Sequence, residues 1–237
     1  MKKPFKFKQF DIYQDRCAMK VGTDGVLLGA WTAVSTDPAS ILDIGAGTGL
    51  VALMLAQRTN AETIEAIEID VDAFEQCVEN FEGSPWADRL FCYHAGLDEF
   101  VDEVEDRYDV IVSNPPFYAE EVASGNASRD VARQMQSLPP EELVAGVSNL
   151  LAPEGIFSTI IPFKETGRFI QLAAQRGLFP NRITRVKGNS TSEFKRSLIE
   201  CSFTKSEIVE DALTIEHQRH EYTEEYVNLT KEFYLKM

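Results

Sequence analysis

Asn114-Pro115-Pro116-Phe117 carries the residue types best suited to chemistry in this chain. Asn114 offers an amide oxygen as acceptor, Pro115 and Pro116 lack a backbone N–H, and Phe117 adds a flat aromatic face. Just before it, Tyr108-Asp109-Val110-Ile111-Val112-Ser113 reads as a buried strand because it is rich in β-branched residues. Open α/β sheets bind ligands beyond the carboxyl ends of their strands, so the tetrapeptide falls where a reacting group is expected. Such a corner can grip a planar amino group. The Asn114 side-chain oxygen and the Pro115 carbonyl would accept its two hydrogens, drawing the nitrogen towards tetrahedral geometry and freeing its lone pair. Proline fixes φ and restricts the residue before it, so the corner arrives preorganised. Phe117 can stack on the target, a contact that for nucleobases contributes about 1–3 kcal/mol. The favoured reaction is methyl transfer to an amino nitrogen, with in-line positioning in place of a dedicated base. Asn-Pro-Pro also makes an ordinary turn after a strand, and only its surroundings decide between the two readings.

Those surroundings include a second pattern, Ile41-Leu42-Asp43-Ile44-Gly45-Ala46-Gly47-Thr48-Gly49, a strand running into a glycine-rich turn and then a helix. Glycines permit tight turning and close approach of a ligand to the backbone. The spacing is G-x-G-x-G: Leu50 stands where the dinucleotide fingerprint needs its third glycine, and no lysine follows as a phosphate cradle would require. A phosphate-free cofactor with a cationic amino-acid portion suits the acid Asp43 better than a pyrophosphate would. S-adenosylmethionine is such a molecule. The next apolar run ends in Glu68-Ile69-Asp70, about 20 residues on, where a carboxylate can accept hydrogen bonds from both ribose hydroxyls. Glu68 closes the strand and is the candidate; Asp70 reads as a cap for the following helix. A glycine turn or a surface acid alone would be commonplace. Their order and spacing relative to the Asn-Pro-Pro corner favour the functional reading.

Strand and helix patterns alternate around these motifs. Strands are predicted at 41–44, 63–69, 90–94, 108–113 and 155–161, and helices at 21–34, 49–58, 71–81, 139–151 and 165–176, with a short acidic helix before Tyr108. Segments 182–187 and 196–203 have no helix between them and read as an antiparallel hairpin at the sheet edge. The tail from Asp211 reads as a short strand followed by an amphipathic helix. Strict alternation implies an α/β fold: a doubly wound, mostly parallel sheet with helices on both faces. The polar stretch Tyr118 to Leu138 is long enough that function or disorder is expected.

Composition sets the outer limits. With 237 residues and 44% apolar content the chain can build one sizeable α/β domain, and it is not a disordered one. No apolar run approaches the roughly 20 residues of a membrane span, and the basic N-terminus has no hydrophobic stretch behind it. Cys17, Cys77, Cys92 and Cys201 are scattered without a C-x-x-C pair, so reduced thiols, no metal site and a cytoplasmic protein are expected. The net charge is −15, yet Glu62 to Glu121 holds 18 acids against Arg89 and Arg107, which leaves the flanks at +1. Attraction to phosphates depends on the local patch, since screening acts over about 8–10 Å, so charge alone neither supports nor excludes RNA.

The chain resembles class I S-adenosylmethionine-dependent methyltransferases with an N-P-P-[FY] loop. The segment from Asp15 to Trp31, DRCAMKVGTDGVLLGAW, is similar to the signature upstream of the first strand in bacterial tRNA1(Val) adenine-37 N6-methyltransferases. Ser84-Pro85-Trp86-Ala87, Asn114-Pro115-Pro116-Phe117-Tyr118 and Phe233-Tyr234-Leu235 also resemble that family, and the similarity covers nearly the whole chain. The resemblance implies a seven-stranded sheet with an edge hairpin, and methylation of the adenosine beside the anticodon of a valine tRNA. It also implies that Lys20, Thr23 and Asp24 lie near the methionine end of the cofactor. Asp43, Gly45, Ala46, Gly47 and Asn114 would line it, and Glu68 would hold the ribose. One departure stands out. These enzymes usually place an acid after the third strand for the cofactor's adenine, and here the chain reads Ala95-Gly96-Leu97. Asp98, one turn into the helix, or the Leu97 backbone N–H would take that part.

The expected organisation is a single methyltransferase domain over 1–237, acting as a monomer. It comprises an extension and helix at 1–40, a cofactor-binding core at 41–203 and a C-terminal strand and helix at 204–237. Transfer would use Asn114, Pro115, Pro116 and Phe117. RNA would bind through the basic entry segment, the loop with Arg129 and Arg133, and the Arg182–Arg196 region. The same corner would also serve guanine N2 in ribosomal RNA or a protein glutamine. A non-catalytic cofactor-binding or RNA-chaperoning module is the reading from another class.

Overall fold

Short β-branched runs separated by amphipathic segments can bury themselves only by stacking side by side under helices, and the computed structural model, which describes residues 3–34, 37–116 and 138–236, has that form. A small hairpin, β1 (Phe5–Lys6) and β2 (Asp11–Ile12), leads into helix α1 (Thr23–Trp31). Then follow β3 (Ser40–Ile44), α2 (Leu50–Arg58), β4 (Thr63–Glu68), α3 (Val71–Glu82), β5 (Leu90–His94), α4 (Leu97–Glu103) and β6 (Tyr108–Ser113). The later half holds α5 (Pro140–Leu150), β7 (Leu151–Pro162), α6 (Thr166–Gln175), β8 (Phe179–Lys187) and β9 (Arg196–Ser202). It closes with β10 (Val209–Thr214), a short hairpin of β11 (Glu216–Gln218) and β12 (Glu221–Tyr222), and α7 (Glu224–Thr230).

The central sheet runs β10-β8-β9-β7-β6-β3-β4-β5. Strands β7, β6, β3, β4 and β5 are parallel, β9 is antiparallel to both β7 and β8, and β10 is parallel to β8. All seven strands expected of the core are present. The strand foreseen in the tail becomes β10, an eighth, which covers the outer side of the β8–β9 hairpin.

Alternation along β3 assigns its side chains to two layers. Ile41 enters the core under α1, α2 and α3, while Leu42 and Ile44 enter the core under α4, α5 and α6. Asp43 therefore points to the α2 side. Chain order reverses at β3, whose neighbours are β4 and β6, so a crevice opens beyond the carboxyl ends of these three strands.

The entry segment is laced to α3 by polar side chains rather than by a sheet. Asn80 Oδ1 accepts from Tyr13 N at 2.8 Å, while its Nδ2 donates to Tyr13 O at 2.9 Å and to Thr48 O at 2.8 Å. Gln76 Oε1 accepts from the N–H groups of Asp15 and Arg16 at 3.2 and 3.3 Å. Gln76 and Asn80 are four apart, so they share one helix face and hold the segment across the crevice. Its far end is fixed by Phe7, which stacks on Phe10 at 4.7 Å and on Tyr234 at 5.8 Å.

The four cysteines are free thiols. Among the described residues no cluster suits a metal ion, and no helix is long and apolar enough to cross a membrane. Asn80→Ala would remove the partner of three backbone groups, one of them, Thr48 O, buried. We expect a loss of about 2–3 kcal/mol in urea unfolding and faster proteolysis within residues 3–22; an unchanged midpoint would show that the lacing contributes nothing.

Candidate active site

The turn after β3 takes its shape from three left-handed glycines: Gly45 at φ 72°, Gly47 at 56° and Gly49 at 75°. Each would cost a residue with a Cβ strain energy, and the reasons for keeping them differ. A Cβ at Gly49 would stand 2.6 Å from Phe81 and 2.9 Å from the Cys77 sulfur, so this glycine lets α3 pack. A Cβ at Gly45 or Gly47 would meet nothing within 4 Å, because both face a cavity. The turn is pinned from the neighbouring strand. Gly45 N and Ala46 N both donate to Ile67 O, at 2.9 and 3.1 Å, and Gly47 N donates to Glu68 Oε2 at 2.8 Å.

Glu68 is buried, and its Oε1 accepts from Asp70 N at 2.9 Å. Two backbone donors thus fix the carboxylate at the end of β4, and each oxygen keeps a lone pair for a ligand hydroxyl. Asp70 caps α3 by accepting from Ala73 N at 2.9 Å, as its position predicts, and it also lines the cavity.

The transfer corner reaches the same space. Ser113 Oγ, fully buried at the end of β6, donates to Ile44 O at 2.8 Å and ties this strand to the residue before the glycine turn. Pro115 and Pro116 then line one cavity with Gly45, Gly47 and Glu68, which encloses about 160 Å³. Asn114 is half-buried beside the first turn of α1, where a Cβ at Gly25 would stand 3.9 Å from its Nδ2 and 3.1 Å from Leu50. The tight contact is with Leu50 of α2, whose side chain would have to give way to a Cβ at 25, whereas Asn114 would meet it at ordinary contact distance. Phe117, Arg129 and Arg133 lie outside the described residues.

At the far end of the cavity the missing acid finds a physical explanation. Gly96 caps α4, and a Cβ there would stand 2.8 Å from Asp98 Oδ1. The Asp98 carboxylate fills the room that a side chain at 96 would need. Leu97 and Asp98 both line the cavity, opposed by Glu142 from the first turn of α5. Desolvation, helped by the negative charge of Asp98, raises the Glu142 pKa.

Other expected residues stand elsewhere. Asp43 is buried behind the turn and accepts from Ala52 N in α2 at 3.1 Å; burial, opposed by that hydrogen bond and reinforced by Glu68, pushes its carboxyl up to about 7. Ala46 packs against the core under α2. Lys20 is exposed. Thr23 and Asp24 line a separate hollow, where Asp24 Oδ2 accepts from Arg196 Nε at 2.7 Å. Conversely, Cys17, Met19 and Glu142 line the cavity although no role is expected of them; the first two fall inside the 15–31 segment, and Glu142 in the first turn of a helix. The 15–31 segment, together with the buried pair Gln76 and Asn80 that holds Tyr13, Asp15 and Arg16, could have placed residues 17–19 there. Burial, reinforced by Glu68 and Asp70, pushes the Cys17 thiol up to about 12, so it serves as an apolar wall and not a nucleophile.

The donor set defines the ligand. Glu68, Asp70, Asp98 and Glu142 line the cavity, and no lysine or arginine does among the described residues. Such a wall repels a phosphate and attracts a cation, while bare glycine backbone admits a bulky group at close range. A sulfonium nucleoside with an amino-acid tail meets all three conditions.

The fold is that of class I S-adenosylmethionine-dependent methyltransferases. It superposes on a predicted O-methyltransferase from Agrobacterium tumefaciens with a TM-score of 0.69 at 18% identity, over 89% of this chain and 96% of that one. For a methyltransferase from Pyrococcus furiosus the TM-score is 0.54 at 22% identity, over 81% and 88%. The methyltransferase small domain family matches residues 25–157. Among tRNA1(Val) (adenine(37)-N6)-methyltransferases, that of Flavobacterium psychrophilum is 60% identical over 98% of this chain and 100% of its own. Those of Bacteroides fragilis (47%; 98% of this chain and 98% of theirs) and Pectobacterium carotovorum (42%; 98% and 94%) follow. The chain belongs to this methyltransferase family.

Asp43 provides a test of the buried site. Its carboxyl holds a proton more tightly folded than unfolded, so its contribution is complete below the unfolded value near 3.8 and is lost as pH rises through about 7. We expect the melting temperature to fall between pH 5 and 8 in the wild type. Asp43→Asn, which keeps an acceptor for Ala52, should flatten that slope by several degrees; parallel curves would contradict the raised pKa.

Proposed function

We propose that the protein transfers a methyl group from S-adenosylmethionine to the N6 amino group of adenosine 37 in tRNA1(Val). The observation that carries this reading is one acid-walled, glycine-floored cavity that ends at Pro115 and Pro116. A cationic methyl donor and a planar amine would meet there, and relatives of nearly equal length carry this activity in their names.

S-adenosylmethionine supplies an electrophilic methyl group. Everything else is positioning by this chain. Glu68, held by Gly47 N and Asp70 N, accepts from the ribose hydroxyls. Asp98 and the Leu97 backbone N–H read the adenine ring of the cofactor, with Glu142 opposite. Gly45 and Gly47 leave room for the amino-acid tail. Asn114 and the Pro115 carbonyl accept the two amino hydrogens of the target, so the nitrogen presents its lone pair towards the cavity. Phe117 stacks on the target base. No general base is required, since the methylated nitrogen can release its proton to water after transfer. The enzyme works as a monomer in the cytoplasm and engages the anticodon region of its tRNA.

Two substitutions separate binding from transfer. Glu68→Ala should weaken the cofactor about 10- to 100-fold in calorimetry, because a charged acceptor is lost. Asn114→Ala should lower labelled methyl transfer to unmodified tRNA at least about 100-fold while the cofactor dissociation constant stays within about twofold. Normal turnover by Asn114→Ala would remove the corner from the mechanism.

A further inference from the structure

A second concavity of about 370 Å³ lies across the first turn of α1 from the transfer corner. Leu27, Ile215 and Asp24 form part of its wall, and Lys187, Lys195 and Arg196 supply three cations against that single acid. In a chain whose net charge is −15, a lining of +2 is a local inversion of sign. The cations are arranged by the fold. Lys187 and Arg196 sit at the ends of β8 and β9 where the hairpin turns, and Lys195 N donates to Val186 O at 2.8 Å. The Arg196 guanidinium is oriented twice, by Asp24 Oδ2 at 2.7 Å and by the Lys195 carbonyl at 3.1 Å.

An aromatic platform adjoins these charges. Phe194, on the same hairpin turn, lies 5.5 Å from Phe163 at an interplanar angle of 41°, and Lys187 Nζ stands 5.7 Å from its ring centroid. Both rings are half-buried, so each keeps some surface open. Cations beside aromatic faces are the combination that holds a single-stranded nucleic acid, with phosphates on the charges and a base on the ring.

Position links this hollow to the chemistry. Asp24 in its wall is followed by Gly25, whose bare backbone faces Asn114. Arg196 pairs with Pro162 at the end of β7, and β7 lies between β9 and β6, the strand that delivers Asn114. Two strand spacings, about 10 Å, therefore separate the corner from Arg196, and three, about 14 Å, separate it from Lys187. All of them lie at the carboxyl end of the parallel strands.

We propose that this hollow is a subsite for the RNA segment flanking the target base, with phosphates held by Lys187, Lys195 and Arg196 and a neighbouring base stacked on Phe194. The inference rests on the function proposed above and names how its substrate is held. It also assigns Asp24 a task apart from the cofactor: it positions the Arg196 fork.

The test is binding of unmodified tRNA1(Val) transcript to the full chain across a salt series, with cofactor affinity measured in parallel. Lys187→Ala/Lys195→Ala removes two phosphate contacts and should reduce the slope of log affinity against log salt by about 1.4. Phe194→Ala should weaken binding about tenfold with the slope unchanged. Cofactor affinity should stay within about twofold in all variants, which shows that each folds. The subsite is overturned if both variants bind tRNA with wild-type affinity and slope. Inorganic phosphate that competes with tRNA no better than chloride at equal ionic strength supports a site built for a polynucleotide. Full displacement of tRNA by phosphate would overturn it in favour of a free-anion site. The two readings fail separately. Wild-type protein that binds tRNA through these residues but leaves adenine N6 unmethylated overturns the function and keeps the subsite.

Discussion

The Ile67 carbonyl, which receives the N–H groups of both Gly45 and Ala46, fixes the part of the molecule that everything else is built around. A left-handed turn of three glycines has little intrinsic preference for one shape, because glycine gives up more conformational freedom on ordering than any other residue. Anchoring it to the end of β4 removes that freedom. With Glu68 accepting from Gly47, the carboxylate and the bare backbone become a single rigid unit. Ser113 joins the second half of the site to the first by bonding Ile44 O, one residue before the turn. The two halves of the cavity thus share one frame, tied by two buried side chains.

Charge is divided across that frame. Acids line the cofactor cavity and cations line the neighbouring hollow, with the first turn of α1 between them. This arrangement reconciles a strongly acidic protein with an RNA substrate, since exposed charges interact only over about 8–10 Å. The acidic residues from Glu62 to Glu103 lie just before, in and between β4, α3, β5 and α4, which flank the cavity on the side away from the β8–β9 hairpin. RNA held at the hairpin would be kept from that side by repulsion, and a polyanion would be kept out of the cofactor cavity.

Asp43 is a motif residue that stands behind the cavity and not in its wall. Alternation along β3 turns it away from the crevice and under α2, where it accepts from Ala52 N and burial pushes its carboxyl up to about 7. Gly96 shows the converse. The position usually held by an acid is empty of side chain, and Asp98 folds back from α4 into the vacated room.

Local pattern alone determined the parallel core, the glycine turn, Glu68 as the acid closing β4, and the Asn-Pro-Pro corner after β6. Each depends on period, β-branching or turn chemistry within a few residues, and those forces act before any tertiary contact forms. Tertiary structure decided the rest. Residues 17–19 reach the cavity because Gln76 and Asn80, some sixty residues away, hold the backbone of Tyr13, Asp15 and Arg16 just before them. Glu142 faces Asp98 because α5 packs beside α4. Asp24 joined Arg196 across 172 positions, which no spacing rule could anticipate. Those contacts depend on where whole elements dock, and docking is set by the shape of two buried layers rather than by any single stretch of sequence.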